Sequence, residues 1–368
     1  MNRLLSQKMR FYSFVCISLL LFVHGYNLKQ TYLQPYSLVN EPTTFTTFFE
    51  YYIANGLLRF RIPLLFCISG YIYAVQDNRP YLQRIGKRFK TLLLPYFIWS
   101  AIGLLITFIL QQFPSTAQAV FDAQIDQLGD NRPYREMPFT DILFRWVFSP
   151  PSFQLWFIRS LFLYNILYPL FRWLTLKAPQ IWFVFLFIAI LLNAGIFFLE
   201  AQGMFFFCAG IFFAKKNIPI DRKPAWLSNY LCWLFFLGLA FIKTWMAFEF
   251  DEYQWPTVIL MNLLHYVSVI AGLLAVWFSL DDLVRWFMRQ SWFLWIVPFS
   301  FFIYGLHVPL LPYLTRFMYN HLDQIRYYRL ITFFAAPFII WLGCIAAGAS
   351  LRKIWPSGYR FITGGRGF

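Results

Sequence analysis

Long apolar runs recur along the whole 368-residue chain and alternate with short polar segments. A helix needs roughly 20 consecutive apolar residues to cross a hydrocarbon core about 30 Å thick, and the runs predict ten such helices. They cover residues 11–28, 51–75, 91–111, 153–171, 180–199, 203–214, 226–248, 256–280, 291–313 and 328–350. These runs are too long and too continuously apolar for the strands of a membrane barrel. The pattern therefore predicts an all-α, polytopic integral membrane protein with about ten transmembrane helices.

Most of the 31 Lys and Arg residues fall in alternate loops, which sets the predicted orientation. Cytoplasmic loops carry the excess of these cations, and basic segments such as 79–90 and 215–223 are therefore assigned to the inside. The outer loops carry few cations, among them Lys29 and Arg132. An even number of spans then places both termini in the cytoplasm, in a multi-pass protein of the cell inner membrane. The net charge of +15 reflects this topology, so no nucleic-acid partner is expected.

No separate soluble domain is visible, and residues 1–368 are predicted to form a single membrane-embedded domain. The longest polar stretch, residues 112–152, is predicted to lie outside the cytoplasm as an ordered cover or as short helices. All five cysteines fall within predicted spans and lack the spacing of a metal site. We therefore expect them to pack in the core, and we expect no metal and no bound cofactor.

Ionisable side chains inside the predicted spans are informative, because they are costly in lipid and mark functional sites. At a rise of about 1.5 Å per residue, all of them fall in the outer half of the membrane. They are His24, Arg59, Arg61, Arg159, Lys243, His265 and His307. No Asp or Glu falls inside a predicted span, and Glu50, Glu200 and Glu249 lie at outer span ends. Fixed positive charge of this kind suits an anionic ligand, or negative charge that develops during a reaction.

Three of these side chains also have ordinary structural interpretations. Lys243 lies near a span end, where its ammonium can snorkel to the interface. His265 is more simply a neutral core histidine that donates to a backbone carbonyl of a neighbouring helix. Arg159 either binds a ligand or pairs with Glu50 or Glu200 at the outer interface.

Arg59 and Arg61 are harder to explain in this way, because two guanidiniums two residues apart cannot both snorkel along one helical face. Pro63 follows them, and it lacks an N–H and clashes with the carbonyl of Arg59. The helix is therefore predicted to distort there, which can aim both arginines at one site. Ser69 and Gly70 then form a small-residue patch that lets another helix, or a substrate, approach closely.

Six stretches of the chain carry a family resemblance. They are RFRIPLLFCISGYIYA (59–74), KRFKTLLLPYFIW (87–99), LWFIRSLFLYNILYPL (155–170), FFFCAGIFFAK (205–215), FSFFIYGLHVPLL (299–311) and YRFITGGRGF (359–368). The first resembles the R-x-R-x-P-x-x-F-x-x-S-G-Y run in acyltransferase family 3, the integral membrane O-acyltransferases that act on carbohydrates. The stretches follow the family's order and cover most of the chain. They resemble the stand-alone form of the family, which lacks an esterase-like domain.

The resemblance implies an activity and roles for particular residues. Members transfer an acyl group, most often acetyl, from a cytoplasmic donor such as acetyl-CoA to a carbohydrate hydroxyl across the membrane. His24 matches the catalytic histidine of the first span, either as general base or as the residue that accepts the acyl group. Arg59 and Arg61 would position the donor or stabilise charge. Many members carry Arg or Lys eleven residues before this histidine, whereas this chain has Ser13, so that partner is not carried over.

The predicted substrate-binding residues are Arg159, Tyr304, His307 and Ser69, although His307 has a second interpretation as a capping and packing residue before Pro309. The expected partners are membrane lipid, an acyl-CoA donor and a carbohydrate or lipid-linked glycan acceptor, and self-association into a homo-oligomer is left open. Basic inner loops such as 86–90 would suit the donor phosphates, but the predicted topology already explains their charge.

Histidine chemistry fits acyl transfer independently of the resemblance. Attack of a sugar hydroxyl on a thioester needs a base that works near neutral pH, which histidine supplies. The attack builds an oxyanion that fixed cations stabilise. The main rival is a transporter or flippase of an anionic lipid-linked sugar, but no inverted repeat and no carboxylate for a coupling ion is visible. A structural or sensor protein would have no need of His24.

Overall fold

The computed structural model describes residues 2–26, 34–196, 198–250 and 252–367, the side chain at 196 excepted. Lys29 and the last residues of the predicted span 11–28 lie outside this part of the chain. The helices are α1 (Arg3–His24), α2 (Phe45–Tyr51), α3 (Arg61–Val75), α4 (Tyr81–Arg88), α5 (Leu94–Leu110), α6 (Pro114–Ala123), α7 (Phe139–Val147), α8 (Trp156–Ile166), α9 (Tyr168–Lys177), α10 (Pro179–Leu191), α11 (Ala201–Lys215), α12 (Asn229–Glu249), α13 (Trp255–Ser279), α14 (Asp281–Phe287), α15 (Ser291–Ile296), α16 (Ser300–Leu322), α17 (Tyr328–Ile354) and α18 (Pro356–Ile362). One hairpin pairs β1 (Gly195–Ile196) with β2 (Leu199–Glu200) in antiparallel register.

Seven of the described helices, or helices joined end to end, are long and apolar enough to cross a membrane. They run over Arg3–His24, Phe45–Val75, Tyr81–Leu110, Asn229–Glu249, Trp255–Ser279, Ser291–Leu322 and Tyr328–Ile354. An eighth results if α9 and α10, between which the chain bends by 116°, are counted as one broken crossing. The predicted all-α class is confirmed, and the helices are those of a multi-pass membrane protein. The count of ten spans and the cytoplasmic termini stay predictions.

The predicted spans 153–171 and 180–199 do not form continuous helices. The first breaks at Leu167, because Pro169 in the first turn of α9 has no N–H to donate to the preceding turn. The second ends with α10, since Asn193 adopts a left-handed conformation with φ of 50° and the chain then enters the hairpin. Apolar content located these two segments but not the breaks within them.

The second predicted span is distorted ahead of Pro63, as the sequence predicts. Between α2 and α3 the chain forms a π-helical turn over Tyr52–Gly56 and a 3-10 turn over Leu57–Phe60. Both lie on the N-terminal side of the proline, which cannot donate to a carbonyl one turn earlier. Arg59 consequently sits on a turn that is not α-helical, immediately before the start of α3.

The described residues form two compact units. The first unit comprises Met1–Leu19, Leu28–Ile85 and Leu163–Trp295, and the second unit comprises Leu20–Asn27, Gly86–Phe162 and Ile296–Phe368. Helix α1 is divided between them, and its last residues belong to the second unit. The single domain over residues 1–368 stays a prediction.

In the first unit, contacts join the segments that the sequence assigns to the cytoplasm. Asp77 forms ion pairs with Lys215 at 2.8 Å and with Arg172 at 3.3 Å, which joins three predicted inner loops. Asn2 donates to Asp221 at 2.7 Å, which brings the N terminus to the loop that follows Lys215. These four predicted inner segments therefore meet one another.

Segments assigned to the outside also meet one another in the first unit. The N–H of Val39 donates to the carbonyl of Ala247 at 2.7 Å. The side chain of Asn193 donates to the hydroxyl of Tyr36 at 3.1 Å. The segment after the first span thus contacts the loop that follows α10 and the last turn of α12, which agrees with the predicted alternation of loops.

The polar stretch 112–152 is ordered within the second unit. It contains α6, a 3-10 turn over Tyr134–Glu136 and α7. Arg145 is buried in a forked ion pair with Asp126, in which both N–O distances are 3.0 Å. Helix α6 packs on α16, where Asn320 donates to Asp122 at 2.8 Å. The predicted short helices are confirmed, and their outer location stays a prediction.

Helices α3 and α11 cross in the first unit with their backbones in contact. A Cβ added at Gly70 would lie 2.1 Å from the carbonyl oxygen of Phe207, and one at Gly210 would lie 2.1 Å from that of Cys67. Small residues permit such close approach between membrane helices. Gly70 thus confirms the predicted approach of another helix, whereas a substrate contact at Ser69 stays a prediction.

We expect Gly70→Ala to destabilise the protein, because the added methyl group meets backbone that cannot rotate away. Overpacking of this kind costs typically about 1–3 kcal/mol, seen as a lower midpoint of thermal unfolding in lipid discs. Gly238→Ala is the matched control, since a Cβ at Gly238 in α12 meets nothing within 4 Å. An unchanged midpoint for Gly70→Ala would contradict the close crossing.

Candidate active site

Helix α16 breaks in the sequence YGLHVPLLP, where two prolines remove backbone donors. Pro309 and Pro312 have no N–H, so the carbonyls of Gly305 and Val308, four residues earlier, lose their helical partners. Val308 itself leaves the helical conformation, with φ of −110° and ψ of 132°. In a membrane helix, freed carbonyls of this kind need other donors.

Donors come from the segment that precedes α8. The side-chain amide of Gln154 donates to the carbonyls of Tyr304 (3.1 Å), Gly305 (3.2 Å) and Val308 (3.3 Å). The hydroxyl of Ser152 adds a second hydrogen bond to Val308 at 3.0 Å. In return, the Tyr304 hydroxyl donates to the backbone carbonyl of Gln154 at 2.6 Å. These bonds fasten the 149–155 segment to the break in α16.

His307 lies immediately before the break and is fully buried. Its Nδ1 is 2.9 Å from the carbonyl oxygen of Ile303. A carbonyl oxygen only accepts, so Nδ1 carries the proton and Nε2 carries the lone pair. That Nε2 lies 3.0 Å from Nδ1 of His24. His24 must therefore donate from Nδ1, which leaves the lone pair of its neutral ring on Nε2.

The position of His24 at the end of α1 is fixed by close packing around Gly25. A Cβ at Gly25 would lie 3.1 Å from the side chains of Leu311 in α16 and Pro337 in α17, closer than ordinary van der Waals contact. The hydroxyl of Thr315 donates to the carbonyl of Gly25 at 3.3 Å. His24 itself is half-buried, and the ring of Phe153 meets it edge-on with centroids 4.9 Å apart.

Besides His307, the second unit holds two further predicted substrate-binding residues, Arg159 and Tyr304. Arg159 is half-buried and donates to the carbonyl of Phe148 at 2.6 Å and to the hydroxyl of Tyr96 at 3.4 Å. Tyr304 is buried, and its ring centroid lies 6.4 Å from that of His307. Since its hydroxyl is bonded to backbone, Tyr304 supports the histidine pair from the side. His24, His307 and Tyr304 are thus brought together.

Arg59, Arg61 and Ser69 belong to the first unit. The Nε of Arg59 donates to the side-chain oxygen of Asn55 at 2.8 Å. Arg61 is only 2% exposed, and its Nε donates to the carbonyl of Leu58. Within the described residues, Nη1 of Arg61 has no hydrogen-bond partner. A buried guanidinium with an unused donor is suited to an anionic or carbonyl oxygen of a ligand.

Lys243 corrects a prediction, since it is buried and does not snorkel. Its ammonium donates to the backbone carbonyl of Asn55 at 2.6 Å and lies 3.4 Å from Nδ1 of His265. His265 is buried as predicted, but within the described residues its polar contact is this ammonium, and no backbone carbonyl accepts from its ring. Ala240 and Ala247 lie one turn away from Lys243 on either side and are also buried. These two small residues in the sequence are the signal that this face of α12 packs against protein, and sequence reasoning missed it.

Glu50 corrects a second prediction. It lies inside the Phe45–Val75 span and its side chain is fully buried, so the expectation that no acid lies within a span is wrong. Sequence reasoning also missed Ser152 and Gln154, because nothing in the sequence ties them to prolines more than 150 residues later. No group of three or more His, Cys, Asp or Glu side chains within the described residues is arranged to hold a metal ion.

Comparison with known proteins bears on this site. The model of the acyltransferase 3 family, described as an acyltransferase domain, matches residues 10–349. The succinoglycan biosynthesis protein ExoH of Rhizobium meliloti (strain 1021) is 25% identical over 323 residues, which are 86% of this chain and 81% of that protein. No solved structure matches the chain.

The matched region contains both histidines of the pair, both arginines ahead of Pro63 and the segment that braces α16. The resemblance seen in the sequence is therefore confirmed over nearly the whole chain. The chain belongs to the acyltransferase 3 family of membrane proteins and is an O-acyltransferase.

Proposed function

We propose that this enzyme moves an acyl group, most simply acetyl, from acyl-CoA to a hydroxyl of a cell-surface carbohydrate or its lipid-linked precursor. The observation that carries the proposal is the hydrogen-bonded pair of His24 and His307, in which the order of donors gives His24 a basic Nε2. Membership of the acyltransferase 3 family supports acyl transfer as the type of reaction. The name of the related succinoglycan biosynthesis protein supports a carbohydrate acceptor.

His24 acts as the general base in this mechanism. Its Nε2 takes the proton of the acceptor hydroxyl while the hydroxyl oxygen attacks the thioester carbonyl. The tetrahedral oxyanion then collapses, the carbon–sulfur bond breaks, and the leaving thiolate receives the proton from the imidazolium. A new ester bond and a free CoA thiol result, and His24 regains its starting form.

His307 is a positioning residue for this step. Its Nε2 accepts from Nδ1 of His24 and so fixes both the tautomer and the orientation of the catalytic ring. When His24 becomes protonated, the same hydrogen bond gains charge and strengthens. The carbonyl of Ile303 holds His307 in the accepting form throughout the cycle.

Arg59 and Arg61 serve the donor, as the family resemblance implies. The burial of Arg61 and its unused Nη1 support a role in binding a carbonyl or phosphate oxygen. Arg159, Ser69 and Tyr304 are assigned to substrate binding, with Tyr304 acting through the backbone it braces. The enzyme uses acyl-CoA as co-substrate and requires no resident cofactor.

The proposed setting is the cell inner membrane, with ten crossings, both termini in the cytoplasm and the 112–152 segment outside. Contacts between predicted inner loops, and between predicted outer loops, support this sidedness. The rival assignment as a flippase of a lipid-linked sugar loses its support, because the family is one of acyltransferases.

Replacement of His24 tests the base. We expect His24→Ala to lower acetyl transfer by at least about 100-fold, the scale of general base catalysis. The measurement uses purified protein in lipid discs, labelled acetyl-CoA and a panel of polysaccharide fragments that includes succinoglycan oligosaccharides. His321→Ala is the matched control, since His321 is exposed and, in the described part of the chain, hydrogen-bonds only to a carbonyl of its own helix. Wild-type transfer by His24→Ala would refute the assignment, and ping-pong kinetics would replace the base with an acyl-histidine.

His307 is tested by a pair of variants. His307→Phe removes the acceptor for Nδ1 of His24, so we expect kcat to fall about 10- to 100-fold with little change in the KM of either substrate. His307→Gln restores a side-chain acceptor and is expected to recover part of kcat. Equal rates in both variants would indicate a packing role alone.

Arg61→Lys tests whether the planar guanidinium of Arg61, with its paired N–H donors, binds the acyl donor. An ammonium cannot offer two parallel donors to one oxygen-bearing group, so we expect kcat/KM for acetyl-CoA to fall about tenfold or more. Arg222→Lys is the control, because that side chain is 87% exposed. Unchanged kcat/KM in Arg61→Lys would remove Arg61 from the donor site.

A further inference from the structure

A basic cavity of about 450 Å³ lies in the first unit, where the loop between α3 and α4 meets α9. Its volume is within the usual range of ligand sites, roughly 300–1,000 Å³. The cations that line it are Arg79, Arg84, Arg172 and Lys177, and the single carboxylate is Asp77. All of these residues lie in segments that the sequence assigns to the cytoplasm.

The carboxylate of Asp77 is already neutralised by its own neighbours. It accepts from Lys215 at 2.8 Å and from the hydroxyl of Tyr168 at 2.8 Å, and it pairs with Arg172 at 3.3 Å. Burial favours a higher pKa for Asp77, but the bonds from Lys215 and Tyr168 outweigh it and hold the pKa below its ordinary value. Asp77 therefore does not cancel the remaining cations of the cavity.

Arg84 is a fixed positive charge in this cavity. Its side chain is nine-tenths buried, and its guanidinium packs against the rings of both Tyr73 and Tyr168, 4.4 Å and 4.8 Å from their centroids. Nη1 donates to the carbonyl of Tyr73 at 3.3 Å, whereas Nε has no hydrogen-bond partner among the described residues. Such a held guanidinium loses little freedom when it binds a phosphate.

Arg79 and Lys177 add further positive charge to the lining, and both side chains are exposed. Within the described part of the chain, neither they nor Arg84 forms an ion pair. The cavity therefore carries positive charge that no protein carboxylate balances, and its natural ligand is an anion. Topology explains why basic residues occur in these loops, but it does not require them to converge on one cavity around a buried arginine.

The cavity also presents a flat aromatic surface. Trp173 is part of the cavity lining and is 59% exposed. The ring of Tyr81 lies in the same lining, where its hydroxyl donates to the carbonyl of Ile166 at 2.7 Å. Stacking on an aromatic ring is worth about 1–3 kcal/mol for a nucleobase, whereas a lipid headgroup gains little from it.

We propose that this cavity binds the adenosine 3′,5′-bisphosphate end of the acyl-CoA donor. The phosphates contact Arg79, Arg84 and Lys177, and the adenine stacks on Trp173. The inference rests on the proposed function, because it takes acyl-CoA as the donor. A phosphate ester is also the headgroup of an anionic lipid, and the exposed indole favours the nucleotide.

The test is equilibrium binding of adenosine 3′,5′-bisphosphate to the full chain in discs of zwitterionic lipid. We expect the double variant Arg79→Gln with Lys177→Gln to weaken binding at least tenfold, since each lost cation contacts a phosphate. Trp173→Ala should weaken it as well. Arg222→Gln, which removes an exposed charge from another predicted inner loop, should bind as the wild type does.

Kinetics separate this site from the proposed function. We expect the double variant to raise the KM for acetyl-CoA by a similar factor while kcat is retained. An unchanged KM and unchanged bisphosphate affinity would overturn the cavity assignment and leave the proposed function intact. Bisphosphate binding with no acetyl transfer by the wild type would instead overturn the proposed function.

Lipid is the other source of a phosphate ester, and a second set of discs identifies it. The same variants are compared in discs that contain phosphatidylglycerol, with co-purified lipid quantified. Enrichment of phosphatidylglycerol by the wild type but not by the double variant, without bisphosphate binding in either disc, would overturn the nucleotide assignment in favour of a lipid headgroup. Bisphosphate binding that persists in both discs supports it.

Discussion

Inside a bilayer, no water is available to donate a hydrogen bond to a carbonyl that has lost its helical donor, and leaving that carbonyl unpaired costs several kcal/mol. Pro309 and Pro312 create this situation in α16, and Gln154 and Ser152 resolve it with their side chains. The same bonds carry Phe153 to the ring of His24 and hold His307 at the edge of the break. The positions of the two histidines thus depend on the two prolines in α16.

The first unit also contains an irregular stretch of helix, and one residue in it, Asn55, contacts two cations. The π-helical turn ends near Asn55, whose backbone carbonyl accepts from Lys243 while its side chain accepts from Arg59. One amide residue therefore holds two cations whose mutual repulsion would otherwise drive them apart. Asn55 lies within the π-helical turn, so the irregular segment supplies the acceptors for both cations.

The sequence predicts features that depend on local residue patterns, such as the fold class and helix distortions. It does not predict contacts between segments that are distant along the chain. Apolar runs give the all-α membrane class, Pro63 gives the distortion before α3, and an ionisable ring in lipid singles out His24. Hydropathy does not register local breaks such as those at Pro169 and Asn193, so the predicted spans 153–171 and 180–199 run past the ends of α8 and α10. The burial of Lys243 and Glu50, and the hydrogen bond between His24 and His307, depend on tertiary packing that composition does not encode.

Ser13 stands where many family members carry a basic residue, and its position along α1 shows why this departure does not disturb the contacts of His24. Eleven residues of α-helix correspond to about 16 Å along the axis, so a cation at this position would not reach the imidazole of His24 within the same helix. In this chain the hydroxyl of Ser13 donates to the carbonyl of Met9 at 2.7 Å and thus serves its own helix. The group that orients His24 is His307, which contacts the ring directly and is itself set by a backbone carbonyl. Tautomer control in this enzyme therefore belongs to the broken helix α16, and it does not require a basic residue on α1.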